Sequence, residues 1–349
     1  MLRKLYFLSV AFCLPMVILA QTPEKKEEKK SPLVFTGSAD GYFRSDFSGT
    51  PSNNKTSFTN TNNKLASGII SAKADLTLGK FSFTADLGAG KRASEFAYND
   101  KGALSYVKQL YASLTFTDWL KLTAGTWATH VGYEVVDAYV NRNYSMSYMF
   151  SYGPFLHTGA KADLTFGKTG LMIGVSKPTD YRKSPDGSKS ALLLQFSQAI
   201  SDDTKLYVNF VGGKRPSDNA SVNQFDVVFT NKFTDKFNIG INGTLNNTGG
   251  KSWSGLATYL NLDPTAKLGL TLRTELFNDK NQLSALGSAP AGASIFANTL
   301  SANIKLGPIT IIPEIRVESA GAKVYTNKSG SAQSGSGSFL VAAVYKFSK

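Results

Sequence analysis

Between Trp127 and Thr158 the chain reads WATHVGYEVVDAYVNRNYSMSYMFSYGPFLHT, a stretch that holds both of its histidines, many aromatic rings and three charged side chains, Glu134, Asp137 and Arg142. Two kinds of chemistry suit these residue types. Opposed charges across a narrow aqueous gap create a transverse field that orients dipolar solutes and sorts ions. Glu134, Asp137 and Arg142 are the candidates for such a constriction, with Tyr133, Tyr139 and Tyr144 as amphipathic neighbours and Tyr148 and Tyr152 beyond them. The plainer alternative is that the three charges pair with one another or with a surrounding wall and hold the stretch in place, since a buried charge usually needs a partner. Hydrolysis is the other chemistry: His130 or His157 would be the base, and Ser145 or Ser147 the nucleophile. No G-x-S-x-G elbow accompanies them. No metal or cofactor is expected, because neither Cys nor a dense His/Asp/Glu cluster supplies further ligands. The histidines then read as hydrogen-bonding groups at a rim.

A stretch of about 30 residues with so many rings favours burial over disorder, and it needs a frame around it. From residue 33 onward apolar and polar positions alternate. Phe81, Phe83, Ala85 and Leu87 interleave with Ser82, Thr84, Asp86 and Gly88; Leu268, Leu270 and Leu272 interleave with Lys267, Gly269, Thr271 and Arg273. Period 2 predicts strands with one apolar and one wet face. About sixteen such segments occur, each near the roughly 9 to 11 residues that a tilted strand needs to cross a bilayer. Every second link is expected to be very short, as at Gly79-Lys80, Gly167-Lys168, Asp263-Pro264 and Gly307-Pro308, while the links between, 246–251 among them, are expected to be mostly longer. Sorting of links by parity predicts an all-β fold: an antiparallel transmembrane β-barrel, short turns periplasmic, long loops outside. Trp127 to Thr158 then forms a long third external loop folded inward into the barrel mouth. The last segment, SFLVAAVYKFSK, sets Phe339, Val341, Ala343, Tyr345 and Phe347 on one face, as in the assembly signal of such barrels.

If the apolar face meets lipid, the wet face lines a lumen. Its charged residues are Lys73, Asp75, Asp86, Lys121, Lys161, Asp163, Lys205, Arg273, Glu275, Glu314 and Arg316, with Lys91, Asp226, Lys267, Lys305 and Glu318 as further members. Sixteen strands leave a water-filled channel where eight would be packed with side chains.

The 349 residues carry 31 Gly, 23 Phe and 15 Tyr with only 18% charged side chains and a net charge of +13. Basic charge near a low-dielectric wall concentrates anions, so a mild anion preference is expected. The excess on external loops, at Lys55, Lys183, Arg215 and Lys251 for example, offers the competing role of contacting anionic lipopolysaccharide. No compact basic run with interleaved aromatics points to nucleic acid.

Residues 1–20 read as a secretory signal: Arg3 and Lys4, an apolar Leu5 to Leu19, and Ala20 at the cleavage point. Cys13 lies inside it. Residues 21–32 read as a flexible charged periplasmic leader, and 33–349 as the barrel.

The stretch LTAGTWATHVGYEVVDAYVNRNYSMSYMFSYGPFLHTGAKADLTF, residues 122–166, resembles the OmpL-like β-barrel porin family of Gram-negative outer membranes. The matching residues are Ala124, Gly125, Trp127, Thr129, Gly132 and Glu134; Asn141, Tyr144, Ser145 and Ser147; and Pro154, Phe155, His157, Gly159 and Lys161. Met146 departs from the pattern, standing where many relatives carry Arg, which weakens any full basic ladder at the eyelet. The resemblance implies an integral outer-membrane porin. The expectation is a passive channel for small hydrophilic solutes, with outer-membrane lipid and lipopolysaccharide around it and a homotrimer by analogy with other sixteen-stranded porins. A barrel hydrolase of phospholipase or protease type, and an adhesive or structural barrel, are the alternatives.

Overall fold

The computed structural model describes residues 32–286 and 292–349. The expected signal peptide, and the leader apart from Pro32, lie outside the described residues. Sixteen strands form the chain's frame: β1 (Leu33–Asp46), β2 (Lys64–Leu78), β3 (Phe81–Ala89), β4 (Val107–Thr117), β5 (Leu120–Ala128), β6 (Leu156–Phe166), β7 (Thr169–Ser176), β8 (Ala191–Ala199), β9 (Thr204–Lys214), β10 (Ser221–Lys232), β11 (Phe237–Thr248), β12 (Lys251–Thr265), β13 (Leu268–Asn278), β14 (Ser294–Leu306), β15 (Ile309–Ala320) and β16 (Gly335–Ser348). Each is antiparallel to its chain neighbours, and β16 pairs with β1 from Thr36↔Ser348 to Asp46↔Ser338, so the sheet closes and leaves no edge. Helix α1 (Lys91–Phe96) lies between β3 and β4, and α2 (Tyr148–Tyr152) between β5 and β6.

The polarity of this ring is inverted relative to a globule. Phe81, Ile173, Val175, Phe225, Leu245 and Leu300 are all exposed, and each belongs to the outward row of its strand. Their immediate neighbours face the interior, where Asp86, Asn209, Asp226, Asn242 and Thr299 are buried. Water would not tolerate so continuous an apolar belt, whereas hydrocarbon requires one. Among the described residues no helix is long and apolar enough to cross a membrane, so the strands are the crossing elements. On β16 the outward Tyr345 and Phe347 are exposed, and their rings meet at a tilt with centroids 6.1 Å apart.

Two links differ from the expectation. Residues 246–251 were expected as a loop, but Asn246, Asn247 and Thr248 keep pairing with Trp253, Ser252 and Lys251. The reversal is made by Gly249 and Gly250 alone, whose φ values of 59° and 83° suit the tight hairpin turn that matches strand twist. Asp263-Pro264, expected as a turn, lies within β12, and the reversal falls at residues 266 and 267. The β12–β13 register shifts between Leu262 and Thr265. A proline without an N–H is accommodated at such an irregularity. Lys267 therefore stands in the turn and Lys91 on α1, neither on a strand.

Candidate functional site

The segment joining β5 to β6 is tied at both ends. Thr129 N donates to Phe155 O at 2.9 Å, and Thr129 Oγ1 lies 3.0 Å from His157 Nε2. Asn141 folds the middle back on itself, accepting from Val135 N at 3.1 Å and donating to Val135 O at 2.5 Å. Ser147 caps α2 by accepting from Phe150 N at 3.1 Å, which satisfies an otherwise orphaned helix-end donor. From the β7–β8 link, the Asp180 carboxylate accepts from Phe155 N at 2.6 Å, Leu156 N at 3.0 Å and Tyr98 Oη at 2.9 Å. Burial pushes this carboxyl up to about 6, although those donors oppose the shift.

Glu134, Asp137 and Arg142 do not pair with one another. Glu134 meets Arg273 of β13 at 2.6 Å, and Asp137 meets Lys108 of β4 at 2.5 Å. Arg142 grips both oxygens of Asp263 on β12, at 2.9 and 3.0 Å, and donates from Nε to Thr271 at 2.8 Å. Tyr133 stacks on Tyr259 with ring centroids 4.1 Å apart. Tyr144 donates from Oη to Asp40 of β1 at 2.5 Å and from its backbone N to Glu314 of β15 at 2.9 Å. The Lys346 ammonium lies 5.0 Å from the centre of the Tyr139 ring. Gly132 N donates to Asp226 of β10 at 3.0 Å, and Asn143 donates to Ser301 of β14 at 2.7 Å. Strands from nearly the whole circumference thus bond this one segment, and every residue from 129 to 155 is buried or half-buried. Met146 is fully buried, and the guanidinium groups of Arg273 and Arg316 reach its carbonyl from the wall at 3.2 and 3.3 Å.

The charged residues expected on the wet face stand opposite the exposed apolar row. Lys73 pairs with Asp75 at 3.0 Å and Lys161 with Asp163 at 3.1 Å. Asp86 meets Lys108 at 3.1 Å. Arg273 joins Glu275 at 2.9 Å, Arg316 joins Glu275 at 3.1 Å and Glu318 at 2.7 Å, and the Glu314 carboxylate accepts from Ser301 Oγ at 2.7 Å. Lys121 on β5 and Lys205 on β9 have no ion pair among the described residues; Lys205 is exposed and Lys121 half-buried. The hydrolytic candidates are not brought together. Ser145 Oγ accepts from Arg273, Ser147 Oγ from Phe150 N, and His130 Nε2 lies 3.4 Å from Phe210 O. The two imidazoles are 5.2 Å apart, centre to centre.

Four residues that organise the segment escaped the sequence reading. Lys108 would face outward by strict alternation, but the register shifts between Asp86 and Leu87, and this bulge turns it inward onto Ser71, Asp86 and Asp137. Arg92 of α1 donates to Val136 O at 3.2 Å and Tyr144 O at 3.0 Å, with its guanidinium 4.5 Å from the Tyr144 ring centre. Asp180 lies in a link with no periodicity to mark it. Asp40 carries only the alternation of β1 as a signal, and its partner lies 104 residues away.

Each wall partner described above is a side chain on the inward row of a sixteen-strand ring, and a family model described as "Putative beta-barrel porin-2, OmpL-like" matches residues 32–347. The chain belongs to this family. The match spans the whole barrel, where the resemblance in sequence was specific only over 122–166. This OmpL-like chain is an integral outer-membrane β-barrel of porin type, with its apolar belt in the hydrocarbon layer. No curated protein matches it. Among solved structures it is similar to OmpT, an outer membrane protein of Vibrio cholerae, at 14% identity and a TM-score of 0.57 over 92% of this chain and 99% of that one. It is similar to the outer membrane channel DcaP of Acinetobacter baumannii at 13% identity and a TM-score of 0.60, over 92% and 99% of the two chains. An anion-selective porin from Comamonas acidovorans follows at 9% identity and a TM-score of 0.58, over 90% and 99%. At these identities the likeness is one of fold.

Proposed function

We propose that this OmpL-like barrel is a passive channel for small hydrophilic solutes, and that residues 129–155 are a third external loop folded into the bore, where they narrow it. The observation that carries this reading is the closed ring of sixteen strands with apolar side chains outside and polar ones inside. A ring of that size is wide enough to hold water. The bonds from Glu134, Asp137, Arg142 and Tyr144 to four different strands support the placement of the loop. Those charges serve first as fastenings. The Lys73–Asp75 and Lys161–Asp163 pairs, which keep some exposure, line the remaining path, and the channel performs no covalent chemistry. Residues 1–20 act as the export signal and 21–32 as a periplasmic leader, with long loops outside and short turns in the periplasm. Lipopolysaccharide meets the basic external loops, and three barrels associate.

A mild anion preference follows from pairing. Asp75, Asp86, Asp163, Glu275 and Glu318 are each bonded to a cation, and Asp226 and Glu314, which are not, are buried under hydrogen-bond donors, whereas the exposed Lys205 and half-buried Lys121 have no ion pair among the described residues. Unpaired cations beside a low-dielectric wall raise the local anion concentration. Reversal potential in planar bilayers under a salt gradient tests both statements. Current is expected, with chloride passing somewhat better than potassium and the preference falling in Lys121→Glu plus Lys205→Glu. A fully inserted barrel that passes no current would reject the channel.

A further inference from the structure

At the long-loop end of the barrel a cavity of about 420 Å³ opens beside the β5–β6 segment, within the size range of small-molecule sites. Its walls include Tyr98, Tyr152, Tyr181 and Trp253, with Gln224 and Asn246 from β10 and β11. The rings are held in place before any ligand arrives. Phe277 backs both Trp253 and Tyr152, with centroids at 5.4 and 6.0 Å, and Tyr152 Oη donates to Lys55 O at 2.8 Å. Tyr98 meets Phe155 edge-on and is fixed through Oη to Asp180.

Between the rings runs a row of uncharged polar groups. Thr248 Oγ1 donates to Asn246 Oδ1 at 2.9 Å, and Asn246 Nδ2 donates to Gln224 Oε1 at 3.1 Å. The row ends at Gln224 Nε2, a donor with no partner among the described residues, on a side chain that is only 3% exposed. Gly153, also in the lining, stands beside this amide; a Cβ there would lie 3.3 Å from Nε2. An unpaired buried donor is costly unless something fills its place. Of the ionic groups of the lining, Asp180 is held by three donors and Arg215 by Asp218, while the exposed Lys214, whose Nζ donates to Ser221 Oγ at 2.6 Å, has no carboxylate partner among the described residues.

We propose that this cavity is a docking subsite for a neutral saccharide of one or two rings at the mouth of the channel. A sugar presents flat C–H faces to aromatic rings and in-plane hydroxyls to carboxamides, which is the combination that Tyr98, Tyr152 and Trp253 make with Gln224 and Asn246. A cationic solute would find no free carboxylate here, an anionic one would meet only the exposed Lys214, away from the rings and carboxamides in the lining, and a purely apolar one would leave Gln224 Nε2 without a partner. The proposal rests on the channel reading for its purpose, because the subsite would load solute above the constriction.

The test is single-channel recording in potassium chloride with maltose on the long-loop side. Glucuronate, and polyethylene glycol of the same size as maltose, serve as controls. Maltose is expected to interrupt the current with saturable concentration dependence, while the glycol only lowers conductance in proportion to its concentration. Gln224→Leu, nearly equal in volume, is expected to weaken the maltose effect about tenfold, the share of one hydrogen bond. Maltose acting no differently from the glycol overturns the subsite while the open current leaves the channel reading standing. Glucuronate binding more tightly than maltose overturns its neutral class. If wild type passes no current the channel reading fails, and tryptophan fluorescence of the detergent-solubilised protein titrated with maltose decides the subsite alone: a saturable change supports it and a flat titration rejects it.

Discussion

Arg273 Nη1 donates to Glu134 Oε1 at 2.6 Å, and the same fully buried guanidinium reaches Glu275 at 2.9 Å, so one cation fastens the β5–β6 segment to the β13 wall. Glu275 also meets Arg316, and Arg316 meets Glu318, so the fastening continues onto β15. Tyr148 completes it, donating from N to Glu275 and from Oη to Glu318, both at 2.8 Å. In such a network each charge is tolerated because its partners stay in place.

Arg273→Ala would leave Glu134 and Glu275 buried and without their shared cation. Breaking a buried pair by removing one partner costs roughly 3–5 kcal/mol. We expect the segment to loosen and single-channel conductance to rise several-fold, with Arg273→Lys falling in between because an ammonium cannot bridge both carboxylates as a planar fork does. Conductance unchanged in Arg273→Ala, in a barrel that still assembles, would show that the segment does not limit the current.

Asp180 makes stability depend on pH. Burial raises its carboxyl from 3.8 to about 6 in the folded protein, so the folded state favours the protonated form. Its contribution is fully present below pH 3.8 and is lost as pH rises through about 6. The upper bound is on the order of 3 kcal/mol. Urea unfolding followed across that window is expected to show wild type losing stability relative to Asp180→Asn, whose amide does not titrate. Parallel pH profiles for the two proteins would refute the assignment.

Gly125, on β5, adopts φ 132°, and a Cβ there would fall 2.6 Å from Tyr111 Cα and still closer to the Leu110 carbonyl oxygen. Both are backbone atoms of the neighbouring strand, which cannot swing aside. Gly125→Ala should therefore cost roughly 1–3 kcal/mol in urea unfolding, as is usual for strain at a restricted φ. A variant as stable as wild type would mean that the β4–β5 pair relaxes without cost.

Leu300 lies at the middle of β14 and is 53% exposed on the outward face. Leu300→Arg should destabilise the barrel in lipid by about 2–4 kcal/mol, the cost of a cation near the bilayer midplane. Folding titrations in phospholipid vesicles measure it. A neutral result would contradict the outward, lipid-facing assignment.

Alternation along the chain was sufficient to mark the sixteen strands, because period 2 between two unlike solvents leaves a mark on every residue of a strand. It failed where an extra residue interrupts the period. The bulge opposite Leu87 hides Lys108, and the irregularity at Leu262 and Thr265 carries β12 past Pro264. The glycine pair at 249 and 250 shortens a link whose polar composition reads as loop.

The sequence by itself determined the all-β class, the inverted polarity and the richness in aromatic rings of the stretch around Glu134, since each is a local property of neighbouring residues. Only the tertiary structure decided that Glu134, Asp137 and Arg142 each hold a different strand, with Arg92 and Asp180 pinning the backbone of the stretch from outside it. Those partners lie far away in the chain and meet only when the sheet closes, so no local spacing encodes them.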